Sequence, residues 1–133
     1  MGNLEQLATE FRDAIEKLIA SDTSISTYGF KARFPDGQCL NSSQMLATYL
    51  KDKGIEDVSV ISGTIGNMDS HAWVTVKDLI VDITADQFED YAYPKAFVAA
   101  ESNLHSAYSS EPAMFQDMDL ELSGTYWKVL RYL

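Results

Sequence analysis

A single cysteine, Cys39, carries all the thiol chemistry of this chain. One thiol forms no internal disulfide and builds no cysteine-rich zinc site, which fits a reducing compartment. Basic residues are also scarce, 10 against 20 acids, for a net charge of −10. A surface with that balance repels phosphate, so nucleic acid is a poor partner. No apolar run approaches a transmembrane span. Met1 to Glu10 are polar and acidic where a signal peptide would turn apolar. The expectation is a cytoplasmic protein with no membrane partner. No HExxH pair is present, so His71 and His105 with the acids make no metal motif. There is no glycine-rich phosphate loop. The acidic run Asp82, Asp86, Glu89 and Asp90 lacks the alternation and closing glutamate of a calcium loop and reads as a solvated turn. No repeat, low-complexity tract or linker divides the 133 residues, which suit one domain spanning 1–133. Nothing calls for a metal or a cofactor.

What is present is strongly periodic. Leu4, Leu7, Ala8, Phe11, Ala14, Ile15, Leu18 and Ile19 recur at three- and four-residue steps. That spacing predicts an amphipathic helix over 3–20, read as packing only. Residues 21–38 look irregular, with a turn at Arg33-Phe34-Pro35-Asp36-Gly37 where proline fixes one φ and glycine permits a positive one. A second helix is expected over 39–53, with Leu40, Ser43, Leu46, Ala47 and Leu50 as its buried stripe and Gly54 just past its end. Val58 to Ile65, Ala72 to Val76 and Leu79 to Thr84 are rich in β-branched residues and read as strands. Only Lys77-Asp78 separates the last two, which predicts an antiparallel hairpin. Gly66 to Ser70 and Gln87 to Pro94 read as loops. A short helix or strand is expected around Ala96-Phe97-Val98, an exposed loop from Ser106 to Pro112, and a helix near Pro112 to Met118. Thr125 to Leu133 are apolar enough to close the core as strand or helix.

Cys39 opens the second helix. Unpaired backbone N–H groups and the helix dipole favour negative charge there, which promotes the nucleophilic thiolate. The ordinary alternative is a buried thiol acting as small apolar filler. His71 begins the second strand and Asp82 lies on the next. A two-residue turn puts Asp82 within diagonal reach of His71, and a bulge or longer turn would set them side by side. Asp82 stands in an apolar run, where an ionised carboxylate is expensive without a partner. If Asp82 accepts from one imidazole nitrogen, the other faces the thiol, giving nucleophile, base and orienter.

Cys39 at a helix start, His71-Ala72-Trp73-Val74 opening one strand and Val81-Asp82-Ile83-Thr84 on the next resemble the transglutaminase-like branch of the papain-like cysteine-peptidase fold. Cys39-Leu40, Leu46, Leu50, Gly54, Gly63 and His71-Ala72-Trp73-Val74 are particularly similar to bacterial transglutaminase-like peptidases that cleave leaders from lasso-peptide precursors. The resemblance covers residues 34–88, and 89–133 carry no family motif. It implies an α+β domain with a central helix, Cys39 at its N-terminus, on a small antiparallel sheet. It implies Cys39 as nucleophile, His71 as general base and acid, and Asp82 as orienting residue. The Cys39 backbone N–H would be one oxyanion donor. The second is open between Gln38 and Gln87, each of which also reads as an ordinary surface amide. Trp73 would wall the site or pack in the core. The implied reaction is acyl transfer through a thioester on a peptide or protein substrate: a peptidase, amidase or deamidase. The other readings are a binding module on the same fold and a hydrolase of cell-wall peptides.

Overall fold

The computed structural model describes residues 2–21, 34, 38–66 and 69–133. The expected turn at Arg33 to Gly37 lies outside these save for Phe34, as do Asn67 and Met68 of the expected Gly66–Ser70 loop. The architecture is α+β, as expected. Four helices and a five-stranded antiparallel sheet are seen among the described residues.

Helix α1 spans Gly2–Ser21 and buries Leu4, Ala8, Phe11, Ala14, Ile15 and Leu18, the stripe that its periodicity predicts. Each such side chain contributes on the order of 1.5–3 kcal/mol when fully buried. Helix α2, Cys39–Asp52, ends as its glycine foretells. Gly54 takes φ +85°, its N–H donates to Lys51 O at 3.0 Å, and the Ile55 N–H donates to Leu50 O at 3.0 Å. That pair of bonds satisfies carbonyls otherwise orphaned at the helix end. Its buried side runs Ser42 to Ala47, Tyr49 and Leu50. Leu40 is turned outward, 37% exposed, contrary to the expected stripe.

Strands β1 (Val58–Ile65) and β2 (Asp69–Val76) pair from Val58↔Val76 to Ile65↔Asp69. Strand β2 thus starts before His71, taking in residues expected to be loop. The hairpin to β3 (Leu79–Asp82) has the two-residue turn expected, with Val76 opposite Leu79 and Lys77 at φ 53°. Ile83 and Thr84, expected in that strand, follow it. Two 3-10 turns, Ala85–Gln87 and Glu89–Tyr91, come next. Strand β4 (Phe97–Ala99) pairs with β3, and the short helix α3 (Asn103–Ser106) follows. Strand β5 (Ser109–Pro112) then pairs with β1 at the opposite edge, giving the order β4-β3-β2-β1-β5. The segment expected to be an exposed loop is therefore an exposed edge strand. Ser-Ser-Glu-Pro has little intrinsic strand preference, and proline is tolerated at an edge. The expected helix at 112–118 is absent. Instead α4 spans Leu120–Leu130, capped by the Asp119 carboxylate accepting from the Leu122 N–H at 2.8 Å.

The sheet is covered on both faces. Val60, Val74, Val76, Val81 and Ile83 join the helices in the main core. The alternate residues Ile61, Trp73 and Ile80 pack instead with Ala85, Leu104 and Tyr108 from the chain that follows β3. Period-two alternation along the strands sends neighbouring residues to opposite faces. Phe11 stacks on Tyr49 at 4.9 Å and lies 6.1 Å from Tyr126, joining α1, α2 and α4. No helix among the described residues is long and apolar enough to cross a membrane.

Candidate active site

Gln38 is the residue before α2 and makes no side-chain capping bond, and its carbonyl accepts the Ser42 N–H at 2.9 Å. Cys39 is therefore the first helical residue, a half-buried free thiol among N–H groups that its N-cap side chain leaves uncapped. His71 belongs to the same strand face as Trp73. The simple hairpin register, Val74 opposite Val81, carries Asp82 on to lie across from Trp73 on that face. The diagonal contact follows without a bulge: His71 Nε2 donates to Asp82 Oδ2 at 2.7 Å, both residues fully buried.

With Nε2 committed to Asp82, Nδ1 is the nitrogen left for Cys39. It is buried without a partner of full hydrogen-bonding geometry. Burial alone would lower the His71 pKa, but its bond to Asp82 and its interaction with Cys39 outweigh this and raise it to about 9. The imidazolium is the favoured form at neutral pH. Burial would likewise raise the Asp82 pKa, yet the bonds from His105 and His71 hold the carboxyl well below the usual range.

His105 is the participant that sequence reasoning missed. Its Nε2 donates to the same Asp82 Oδ2 at 2.6 Å. Its Nδ1 is hydrogen-bonded with the Ser102 hydroxyl at 2.6 Å, which in turn is hydrogen-bonded with the Tyr93 hydroxyl at 2.9 Å. Ser102 also caps α3, accepting the His105 N–H at 3.2 Å. The remaining Asp82 oxygen accepts the Thr84 N–H at 2.8 Å and its hydroxyl at 3.3 Å. Aromatic rings wall this network. Phe88 meets His71 edge-on at 4.9 Å, Trp73 meets His105 at 4.9 Å, and His105 stacks nearly parallel to Phe97 at 5.7 Å. One signal pointed beyond His71: a buried carboxylate has more acceptor sites than one imidazole can fill.

Trp73 is buried beside both histidines, as core and site wall together. Gln38 is buried rather than a surface amide, and its Oε1 accepts from Asn41 Nδ2 at 2.9 Å. Gln87 is half-buried with its amide donating to Thr84 O at 2.9 Å, which commits it to the loop behind Asp82. The acidic run is not a solvated turn at its first two members. Asp82 is buried, and Asp86 takes a two-pronged pair from Arg12 at 2.8 and 2.9 Å. Arg12, buried in α1, also donates to Ile83 O at 2.6 Å. Helix α1 thus does more than pack: it clamps the chain on either side of Thr84.

His71, Asp82 and His105 offer ligand atoms all within 4.8 Å of one another and are the described residues that could hold a metal ion. Two direct hydrogen bonds already satisfy these atoms, and a cation there would have to displace both imidazole protons. A cavity of about 680 Å³ reaches the His105 end of the network, lined by Ile61, Trp73, Ser102, His105 and Glu111, without Cys39 or His71. Comparison of the chain with protein-family models, with curated proteins and with solved structures finds no match in any of the three.

Proposed function

We propose that this protein is a cysteine-dependent acyl-transfer hydrolase, a peptidase, amidase or deamidase of the transglutaminase-like, papain-like type. The observation that carries the reading is the buried His71–Asp82 bond of 2.7 Å, with Cys39 interacting with His71. The Cys39 thiolate attacks an amide carbonyl, and the oxyanion forms beside the Cys39 backbone N–H and the first N–H groups of α2. The imidazolium gives its Nδ1 proton to the leaving amine as the C–N bond breaks, leaving a thioester. His71 then takes a proton from water as the water attacks the thioester. The acid leaves, and the thiolate–imidazolium pair is restored. An amine in place of water would give transfer. Asp82 holds the ring in the tautomer this needs.

Alkylation of Cys39 by iodoacetamide, followed by mass spectrometry against pH, tests the pairing. Alkylation is expected to remain fast below pH 7 and to slow there at least tenfold in His71→Ala, since only the thiolate reacts. A Cys39 that reacts only as pH passes about 8.5, the ordinary thiol value, would overturn the reading and leave a binding module on this fold.

A further inference from the structure

We infer that the groove beside Cys39 is a substrate-docking cleft for an extended peptide in which an apolar anchor residue is flanked by lysine or arginine. The inference rests on the hydrolase reading for what the peptide is presented to, but the groove is defined by its own residues. It measures about 500 Å³ and runs between Leu40, Asn41 and Gln44 of α2 and Phe115, Asp117 and Met118.

The outer wall is irregular chain, yet it is built. Gln44, buried in α2, donates its side-chain amide to both Phe115 O and Asp117 O at 3.2 Å. From the other side, Gln116 accepts the Val60 N–H at 2.8 Å and donates to Val60 O and Ala113 O at 2.9 Å. Two glutamines therefore pin residues 113–117 to α2 and β1. The consequence is that Met114 and Phe115 are held outward, 87% and 65% exposed, with Leu120 at 91% just beyond. Of these exposed apolar side chains Phe115 lines the groove, held there by the pinned backbone, which suits an interaction site.

Position and charge choose the occupant. Leu40 and Asn41 directly follow Cys39, and an extended chain advances roughly 3.3 Å per residue. On this inference a side chain seated in the groove belongs to the same extended stretch as the carbonyl offered to the thiol. Phe115, Met118 and Leu40 supply an apolar floor, and methionine adapts to anchors of differing shape. Asp117 is among its lining residues, as is Asp119, whose carboxylate caps α4, and among the described residues no lysine or arginine lines the groove. With a net charge of −10, the surface disfavours an anionic membrane, a nucleic acid or a second copy of itself, and draws cationic flanks.

The test uses Cys39→Ala protein and three rhodamine-labelled heptapeptides, with binding read by fluorescence anisotropy. One has leucine between lysine pairs, one has serine for the leucine, and one has glutamates for the lysines. The first should bind about tenfold or more tightly than either other. Phe115→Ser, a substitution at an exposed position, should abolish that preference for leucine. Asp117→Asn should weaken binding less and flatten its dependence on salt. Equal affinity for all three peptides, or unchanged binding in Phe115→Ser with its circular dichroism intact, would overturn the cleft. Binding as expected without cleavage by the unmodified protein would support the cleft and count against the hydrolase reading. Cleavage of all three peptides alike would do the reverse.

Discussion

At the scale of single residues, Asp82 is where the site is decided. A carboxylate this buried is tolerated only because Oδ1 accepts from Thr84 while Oδ2 accepts from two imidazoles. In the proposed reaction His105 would be a positioning residue, acting through Asp82 on His71. A hydrogen bond to a charged group is worth about 1.5–3 kcal/mol, so His105→Phe should lower kcat roughly ten- to a hundredfold. Because the His105 bond helps hold the Asp82 pKa down, the acid limb of the pH–rate profile should also move to higher pH. His105→Gln, whose amide can still donate, should restore part of both. An unchanged profile in His105→Phe would make the residue structural only. The same pair sets a stability window. His71 titrates near 9 in the folded chain against a reference of 6.5, so its contribution is complete below pH 6.5 and disappears as pH rises through about 9. Asp82 is depressed, so its contribution is present above the reference value of 3.8 and is lost as pH falls through its lower folded value. Urea unfolding should show stability falling by a few kcal/mol between pH about 6 and about 9.5, a fall that His71→Ala should largely remove.

At the scale of elements, the site depends on how closely β5 approaches β1. Gly63 lies between His71 on β2 and Ser110 on β5. A Cβ there would meet Tyr108 Cβ at 2.8 Å and Ser109 O at 3.2 Å, atoms that cannot rotate away. Gly63→Ala should therefore push β5 and Tyr108 off the sheet at a cost of about 1–3 kcal/mol. The loss should be visible as a lower urea midpoint and as faster hydrogen exchange in β5; a midpoint within error of the parent would show that the edge yields freely. Helix α1 acts on the opposite side. Arg12 reaches across to Asp86 and Ile83 O, so the chain that leaves β3 is held from below while Tyr93, Phe97 and His105 stack above it.

At the scale of the whole molecule, 20 acids and 10 bases leave a charge of −10 that no local pairing removes. Such an excess destabilises the compact state through self-repulsion, and salt screens it. Thermal unfolding at pH 7 should therefore show Tm rising by a few degrees between about 10 and 150 mM salt. A Tm that falls would mean that attractive surface pairs outweigh the net charge.

Much of this was legible in the chain, and the boundary has a physical cause. Periodicity located α1 and α2, β-branched runs located β1 to β3, and the two-residue gap at Lys77-Asp78 set the hairpin register that brings Asp82 to His71. Each of these is a local property: side-chain direction repeats with the element, and a short turn leaves one register. The second half was read less well because its structure is borrowed. Ser109 to Pro112 form a strand only because β1 offers an edge, and residues 113–117 are held by the side chains of Gln44 and Gln116 rather than by their own backbone pattern. His105 joins Asp82 across 23 positions, and Arg12 reaches Asp86 across 74; no spacing rule encodes such contacts. The sequence by itself determined α1, α2 and β1 to β3, and through the hairpin register the meeting of His71 with Asp82. Only the tertiary structure decided which groups satisfy a buried carboxylate, because desolvation acts on whatever the fold brings together.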